Sequence, residues 1–206
     1  MERHLLVNLL LVSLVCCLDK TQYSQVNSTS GIPFHINTDK TVNLFGDSSY
    51  KLTLHIFDTT NYDEETINAT LTFTKQEKNY VKVLFRDSLY CLYPDIDFQD
   101  FNNDKEKDVL IFYYTGARAN PTYHLYLTDL KNRKLLRVKG FEKLPNPDLD
   151  TTNNIIISIA LSGTNYYSFY RINKANKLIN LGYSFTENLG DSTQYDRTIR
   201  KIKKYK

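Results

Sequence analysis

The nine residues from Asp100 to Asp108, D-F-N-N-D-K-E-K-D, place oxygen-bearing side chains at Asp100, Asn102 and Asp104, with Asp108 at the end of the run. In a tightly coiled backbone alternate residues point inward, so these groups can converge on one cation. An all-oxygen donor set favours Ca²⁺ over softer metals. The EF-hand loop closes with a carboxylate at its twelfth position and runs into a helix. Here Asp108 would close the loop at its ninth, and the apolar segment Val109 to Tyr114 follows directly, so the expected setting is an inter-strand calcium loop. A sharp turn at the sixth position calls for glycine with positive φ, whereas this chain has Lys105, which enters that conformation only at a cost. The same residues also suit a solvated acidic turn, because Asp and Asn bond their own backbone without a metal. Asp95 and Asp97 stand just upstream and would either add ligands or extend the acidic surface.

Other chemistry is sparse. His35, His55 and His124 lack zinc spacing, no G-x-S-x-G elbow occurs, and with 7 glycines there is no phosphate-cradling loop. His55 and His124 fall in alternating segments and read as surface or interface residues. Cys91, between Tyr90 and Leu92, reads as a small buried apolar residue with no histidine beside it in sequence. Catalysis is not expected. A carbohydrate-processing activity is not excluded, since the separation of a carboxylate pair belongs to the fold. Tyr113-Tyr114 and Tyr166-Tyr167 are candidate rigid contact surfaces for a protein partner.

The elements that must position these residues have the period of strands. Leu52, Leu54 and Ile56 alternate with polar residues, as do Ile67, Ala69, Leu71 and Phe73, and then Val81, Val83 and Phe85. Val109 to Tyr114 and Ile155 to Leu161 are nearly continuous apolar runs, as expected of strands covered on both sides. The 16 Tyr and 11 Phe suit pleated surfaces, and no segment shows a convincing helical period. A weak repeat links Tyr123 to Asp129 with Tyr167 to Asn173, and Lys131 to Val138 with Lys174 to Leu181. A unit of 40 to 45 residues made of several strands has the length of a propeller blade. The expected fold is all-β: antiparallel hairpins in a meander, propeller-like, in a single domain over residues 32–198.

The ends point to export. Leu5 to Val15 is too short to span a bilayer and matches a signal-peptide core, while Leu14-Val15-Cys16-Cys17 is lipobox-like. Residues 1–17 are therefore expected to be a signal peptide ending at Cys17, the lipidation site, and 18–31 a polar tether. Secretion without lipid is the other reading. Cys91 has no partner outside the signal region, so no disulfide framework is expected. The formal net charge of +3 comes from the C-terminus: five of the 26 basic side chains lie in the last seven residues, leaving 21 against 23 acidic ones. Residues 199–206 read as a solvated basic tail, and nucleic acid is not an expected partner of an exported chain.

The loop Asp100, Asn102, Asp104, Asp108 followed by an apolar strand resembles the calcium loop of FG-GAP and VCBS-like propeller repeats, as in integrin heads. More closely, Ile96 to Tyr114 with the tyrosine-rich hairpins resembles exported calcium-binding lipoproteins of propeller-like fold that are similar to lysozyme inhibitors. Those act as periplasmic immunity proteins against cell-wall-cleaving effectors of a bacterial type IV secretion system. The similarity covers roughly Tyr50 to Tyr183 and departs from the family at Lys105, where the family has glycine. It implies a periplasmic or outer-envelope lipoprotein, anchored through its N-terminal lipid, that binds Ca²⁺ and blocks a peptidoglycan hydrolase. The alternative is a structural or adhesive envelope protein without inhibitory activity.

Overall fold

A computed structural model describes residues 36–41, 45, 47–60, 62–116 and 118–204. The expected signal peptide with Cys17, the expected tether and His35 lie outside the described residues. The rest is all-β, in three four-stranded antiparallel meanders taken in chain order. Sheet 1 is β1 (Ile36–Thr41), β2 (Tyr50–Ile56), β3 (Ala69–Gln76) and β4 (Val81–Leu89). Sheet 2 is β5 (Ile96–Gln99), β6 (Asp108–Gly116), β7 (Asn120–Asp129) and β8 (Lys134–Val138). Sheet 3 is β9 (Pro147–Asp150), β10 (Ile155–Ala160), β11 (Tyr166–Ile172) and β12 (Leu178–Thr186). A 3-10 turn, Phe141–Lys143, joins the second to the third.

Side-chain alternation decides how the sheets stack. In β6, Val109 and Ile111 pack into a core shared with Leu52, Leu54, Leu71 and Phe73 of sheet 1. Leu110 points the other way, into a core shared with Leu149 and Ile156 of sheet 3. Sheet 2 thus buries both faces, which is why its central strand reads as a continuous apolar run. Sheet 3 repeats the arrangement, with Ile156 facing sheet 2 while Ile155 and Phe169 face a helix. Sheet 1 has a polar outer face, where Lys51, Thr53 and His55 alternate with the buried Leu52, Leu54 and Ile56. Among the described residues, no apolar cluster joins sheet 1 to sheet 3.

The repeat seen in the sequence has a structural counterpart. β7 and β8 are joined by a turn in which Asp129 accepts a bond from the Asn132 N–H (2.9 Å), and Asn173 plays the same part between β11 and β12, accepting from Ala175 (2.9 Å) and Lys177 (3.0 Å). Both turns enter the left-handed region, at Arg133 (φ 50°) and at Asn176 (φ 57°).

The C-terminus differs from the expected solvated tail. Gln194–Lys204 is a helix, α1, and it seats Ile199 and Ile202 in the core of sheet 3, beside the ring of Tyr195. Positions 195, 199 and 202 fall on one helical stripe. With only three apolar residues the stripe is narrow, and the basic residues between them occupy the solvent side. Its first turn is held by Arg197, which pairs with Asp191 and donates to the Thr193 hydroxyl (2.7 Å). Ile202→Ala should lower stability by about 2 to 4 kcal/mol in urea unfolding, where a frayed tail would register no change.

Candidate metal-binding loop and the polar network behind it

The β5–β6 loop is built around the Asp100 carboxylate. Its Oδ1 accepts bonds from the N–H groups of Asn102 (3.2 Å) and Asn103 (2.7 Å), and its Oδ2 from that of Lys105 (2.8 Å). Two residues later the pattern recurs. Asn102 Oδ1 accepts from the Asp104 N–H (3.1 Å), and Asp104 Oδ1 from the Glu106 N–H (2.8 Å). The Asn102 amide also donates to Asp104 Oδ2 at 2.7 Å, so the three alternate side chains lie along one coil. That coil requires left-handed backbone at Asn103 (φ 60°) and Lys105 (φ 75°). Lys105 thus adopts the conformation its position demands despite lacking glycine's freedom, at a cost of roughly 1–2 kcal/mol. Asn103 ties the loop to sheet 3 by donating to the Thr151 carbonyl at 3.1 Å.

Asp108 does something different from its neighbours. It is fully buried, its Oδ2 accepts from the Phe101 N–H (2.8 Å) and its Oδ1 from the Thr128 N–H (3.0 Å). One carboxylate therefore joins the beginning of the loop to its end and both to β7, while Phe101, inserted beside it, meets Phe141 edge-on at 5.0 Å. Burial pushes the Asp108 carboxyl up to about 7; the two N–H donors oppose the rise, and the charges of Asp104 and Asp100 add to it. Among the described residues, no three His, Cys, Asp or Glu side chains are grouped closely enough to hold a metal ion. Asp97 spends its carboxylate on the N–H of Phe98 (2.7 Å) in β5.

A second polar constellation, spread through the sequence, joins sheets 1 and 2. Asp87 Oδ2 accepts from the Tyr126 hydroxyl (2.9 Å) and from Arg137 (2.9 Å), and the same guanidinium reaches His124 Nδ1 at 3.0 Å. Because Arg137 can only donate, Nδ1 accepts, and Nε2 carries the proton that it donates to the Tyr90 carbonyl (3.0 Å). His124 is 3% exposed, not on the surface. Its alternation in β7 misled because the strand is covered on both faces. Burial first, and then the Arg137 guanidinium, hold its pKa down at about 4, against the Tyr90 carbonyl, Glu142 and Asp87. Cys91 is buried, donates to the Tyr93 carbonyl (2.7 Å), and has its thiol pushed up to about 12 by burial.

Asn68 was not singled out by the sequence. It is buried, donating to the Cys91 carbonyl (3.0 Å) and accepting from the Cys91 N–H (2.8 Å), so just ahead of β3 its side-chain amide continues the pairing with the chain that leaves β4.

No family model, no curated protein and no solved structure matches the chain. What the loop and the network can do follows from their own chemistry. The loop is a coil of hard oxygen acceptors with no imidazole or thiol in it. The network is structural, for its histidine is neutral, buried and bonded through both ring nitrogens.

Two outcomes are expected. Asp108→Ala leaves the N–H groups of Phe101 and Thr128 without their acceptor and should cost about 2 to 4 kcal/mol in urea unfolding, whereas Lys105→Gly should gain about 0.5 to 1 kcal/mol. For His124 the folded pKa lies below the ordinary 6.5, so the unfolded chain takes up the proton first on acidification. Stability from this group is complete above pH 6.5 and falls as the pH drops toward 4, by about 3 kcal/mol in all. The difference in unfolding free energy between the wild type and His124→Gln should shrink by that amount between pH 7 and pH 4, and a constant difference would contradict the neutral, buried assignment.

Proposed function

We propose that this chain is an exported, calcium-stabilised β lipoprotein that binds and blocks a peptidoglycan hydrolase and catalyses no reaction of its own. The observation that carries the calcium part is the coil shared by Asp100, Asn102 and Asp104, with left-handed backbone at Lys105. Non-glycine residues enter the left-handed region in other turns too, Arg133 among them, so the weight falls on the run of alternate oxygens along the coil. Asp100, Asn102 and Asp104 would hold the ion, and Asp108 would fix both ends of the loop through its two backbone bonds. Bound Ca²⁺ would supply positive charge beside Asp100 and Asp104, offsetting the repulsion that they exert on Asp108.

The binding part rests on where the reactive groups are. Cys91 and His124, a buried thiol and a buried imidazole, are consumed in packing and hydrogen bonds, while tyrosines stand at the surface, among them Tyr166, 44% exposed. Three consecutive four-stranded meanders, each stacked on the next, support a propeller-like relation between the sheets. Among the described residues no helix is long and apolar enough to cross a membrane, and the proposed anchor is the lipid on Cys17.

Calcium at about ten times its Kd should add about 1.4 kcal/mol and raise the melting temperature by roughly 3–6 °C, and Asp104→Ala should abolish the shift. The same protein should inhibit a muramidase in a turbidity assay of cell-wall lysis. A calcium-dependent melting shift without inhibition would favour the structural or adhesive envelope role.

A further inference from the structure

The end of sheet 2 away from the calcium loop opens into a groove of about 560 Å³ where parts of all three sheets meet. Glu64 contributes from the connection between β2 and β3, Tyr113 and Tyr114 from the end of β6, and Glu142 and Lys143 from the turn leading to sheet 3. Pairing between β6 and β7 slips between Phe112 and Tyr114, so Tyr113 is the extra residue of a bulge. A bulge of this kind redirects a side chain out of the ladder. Tyr113 leans on the His124 ring (4.8 Å between centroids) and donates to the Glu64 carbonyl (3.4 Å).

Behind Tyr113 stands Tyr90, packed edge-on at 5.8 Å. It is 3% exposed, and among the described residues its hydroxyl has no hydrogen-bond partner. The hydroxyl of Tyr90 feels the charges of Glu64 and Asp63, and that of Tyr113 feels Glu64, Glu142 and Glu65, after burial as the leading effect in both. Glu64 and Glu142 outnumber Lys143, the one basic residue in the lining among the described residues.

We propose that the groove receives a cationic side chain, lysine or arginine, from the protein partner, between the tyrosine rings and the carboxylates of Glu64 and Glu142. A cation is attracted to the ring faces of tyrosine as well as to carboxylates, and the lining of the groove brings both together. The volume suits one side chain with its flanking backbone. This assignment rests on the reading of the chain as a binder of a protein partner, and it names the chemistry of the contact.

The test is amide NMR of the full-length chain titrated with N-acetyl-arginine amide and N-acetyl-lysine amide, with N-acetyl-norleucine amide and chitobiose as controls. The cationic probes should shift the Tyr113, Tyr114 and Glu142 signals saturably, and more weakly in high salt. Glu64→Gln, at an exposed position, should weaken binding about threefold, and Lys143→Gln should tighten it by a similar factor. Equal shifts with the norleucine probe, or binding of chitobiose alone, would overturn the assignment. Against a muramidase that the wild type inhibits, Glu64→Gln should inhibit less and Lys143→Gln more; unchanged inhibition by both would remove the groove from that interface while leaving the inhibitor reading intact. Arginine binding without inhibition of any muramidase would uphold the groove and discard the hydrolase as partner.

Discussion

A sheet with two apolar faces cannot stand alone in water, and sheet 2 is such a sheet. Val109, Ile111 and Tyr126 need a cover on one side, and Leu110, Leu125 and Leu127 on the other. Burying a side chain of this size contributes about 1.5–3 kcal/mol, so neither face is left open. Sheet 1 covers the first and ends the stack with a polar outer face. Sheet 3 covers the second but, having an apolar far side of its own, passes the requirement along. The helix α1 meets it with Ile199 and Ile202. A chain of this pattern needs no fourth sheet to finish, because eleven residues of amphipathic helix do what another meander would.

Stacking sheets in this way leaves polar groups to be satisfied at each seam. Between sheets 1 and 2 the seam holds Asp87, Tyr126, Arg137 and His124, in which the Tyr126 hydroxyl and both terminal nitrogens of Arg137 find acceptors and the only consistent tautomer is the neutral one protonated at Nε2. Between sheets 2 and 3 it holds the acidic β5–β6 loop. There a buried carboxylate, Asp108, takes two backbone N–H groups that no strand partner supplies. Both devices serve the same need, since an unpaired polar group between packed sheets is more costly than one at the surface.

Much of this was legible because strands declare themselves through alternation. The two uninterrupted apolar runs, Val109 to Tyr114 and Ile155 to Leu161, marked the strands that lie between two covers, and the paired lysine turns marked equivalent hairpins. Three features escaped. The helix was hidden because three apolar residues among basic ones satisfy a stripe without dominating the composition. His124 looked exposed because alternation assigns a side to each residue but does not reveal whether that side is covered. Tyr90, Asp87 and Arg137 are separated by up to 50 positions, and only the stacking of sheets 1 and 2 brings them together. The acidic loop was visible residue by residue, yet the division of labour within it was not: Asp108 resembles the other acceptors in type and differs only in being fully buried.

The loop and the groove lie at opposite ends of one strand. β6 begins at Asp108 and finishes at Gly116, about 26 Å apart at the usual rise per residue. A cation held by Asp100 and Asp104 would therefore be more than two Debye lengths from the far end of β6 at physiological salt. A shorter route to the groove runs through Phe101 and Phe141, which adjoin Asp100 and Glu142 in sequence and whose rings meet at 5.0 Å. The strand is paired on both sides and buried on both faces over its first four residues, so it transmits position better than motion. The bulge at Tyr113 is where that regularity ends. Calcium bound at the loop would raise the stability of the scaffold that presents the groove, and any effect on the groove itself would run through the Phe101–Phe141 contact beside Glu142.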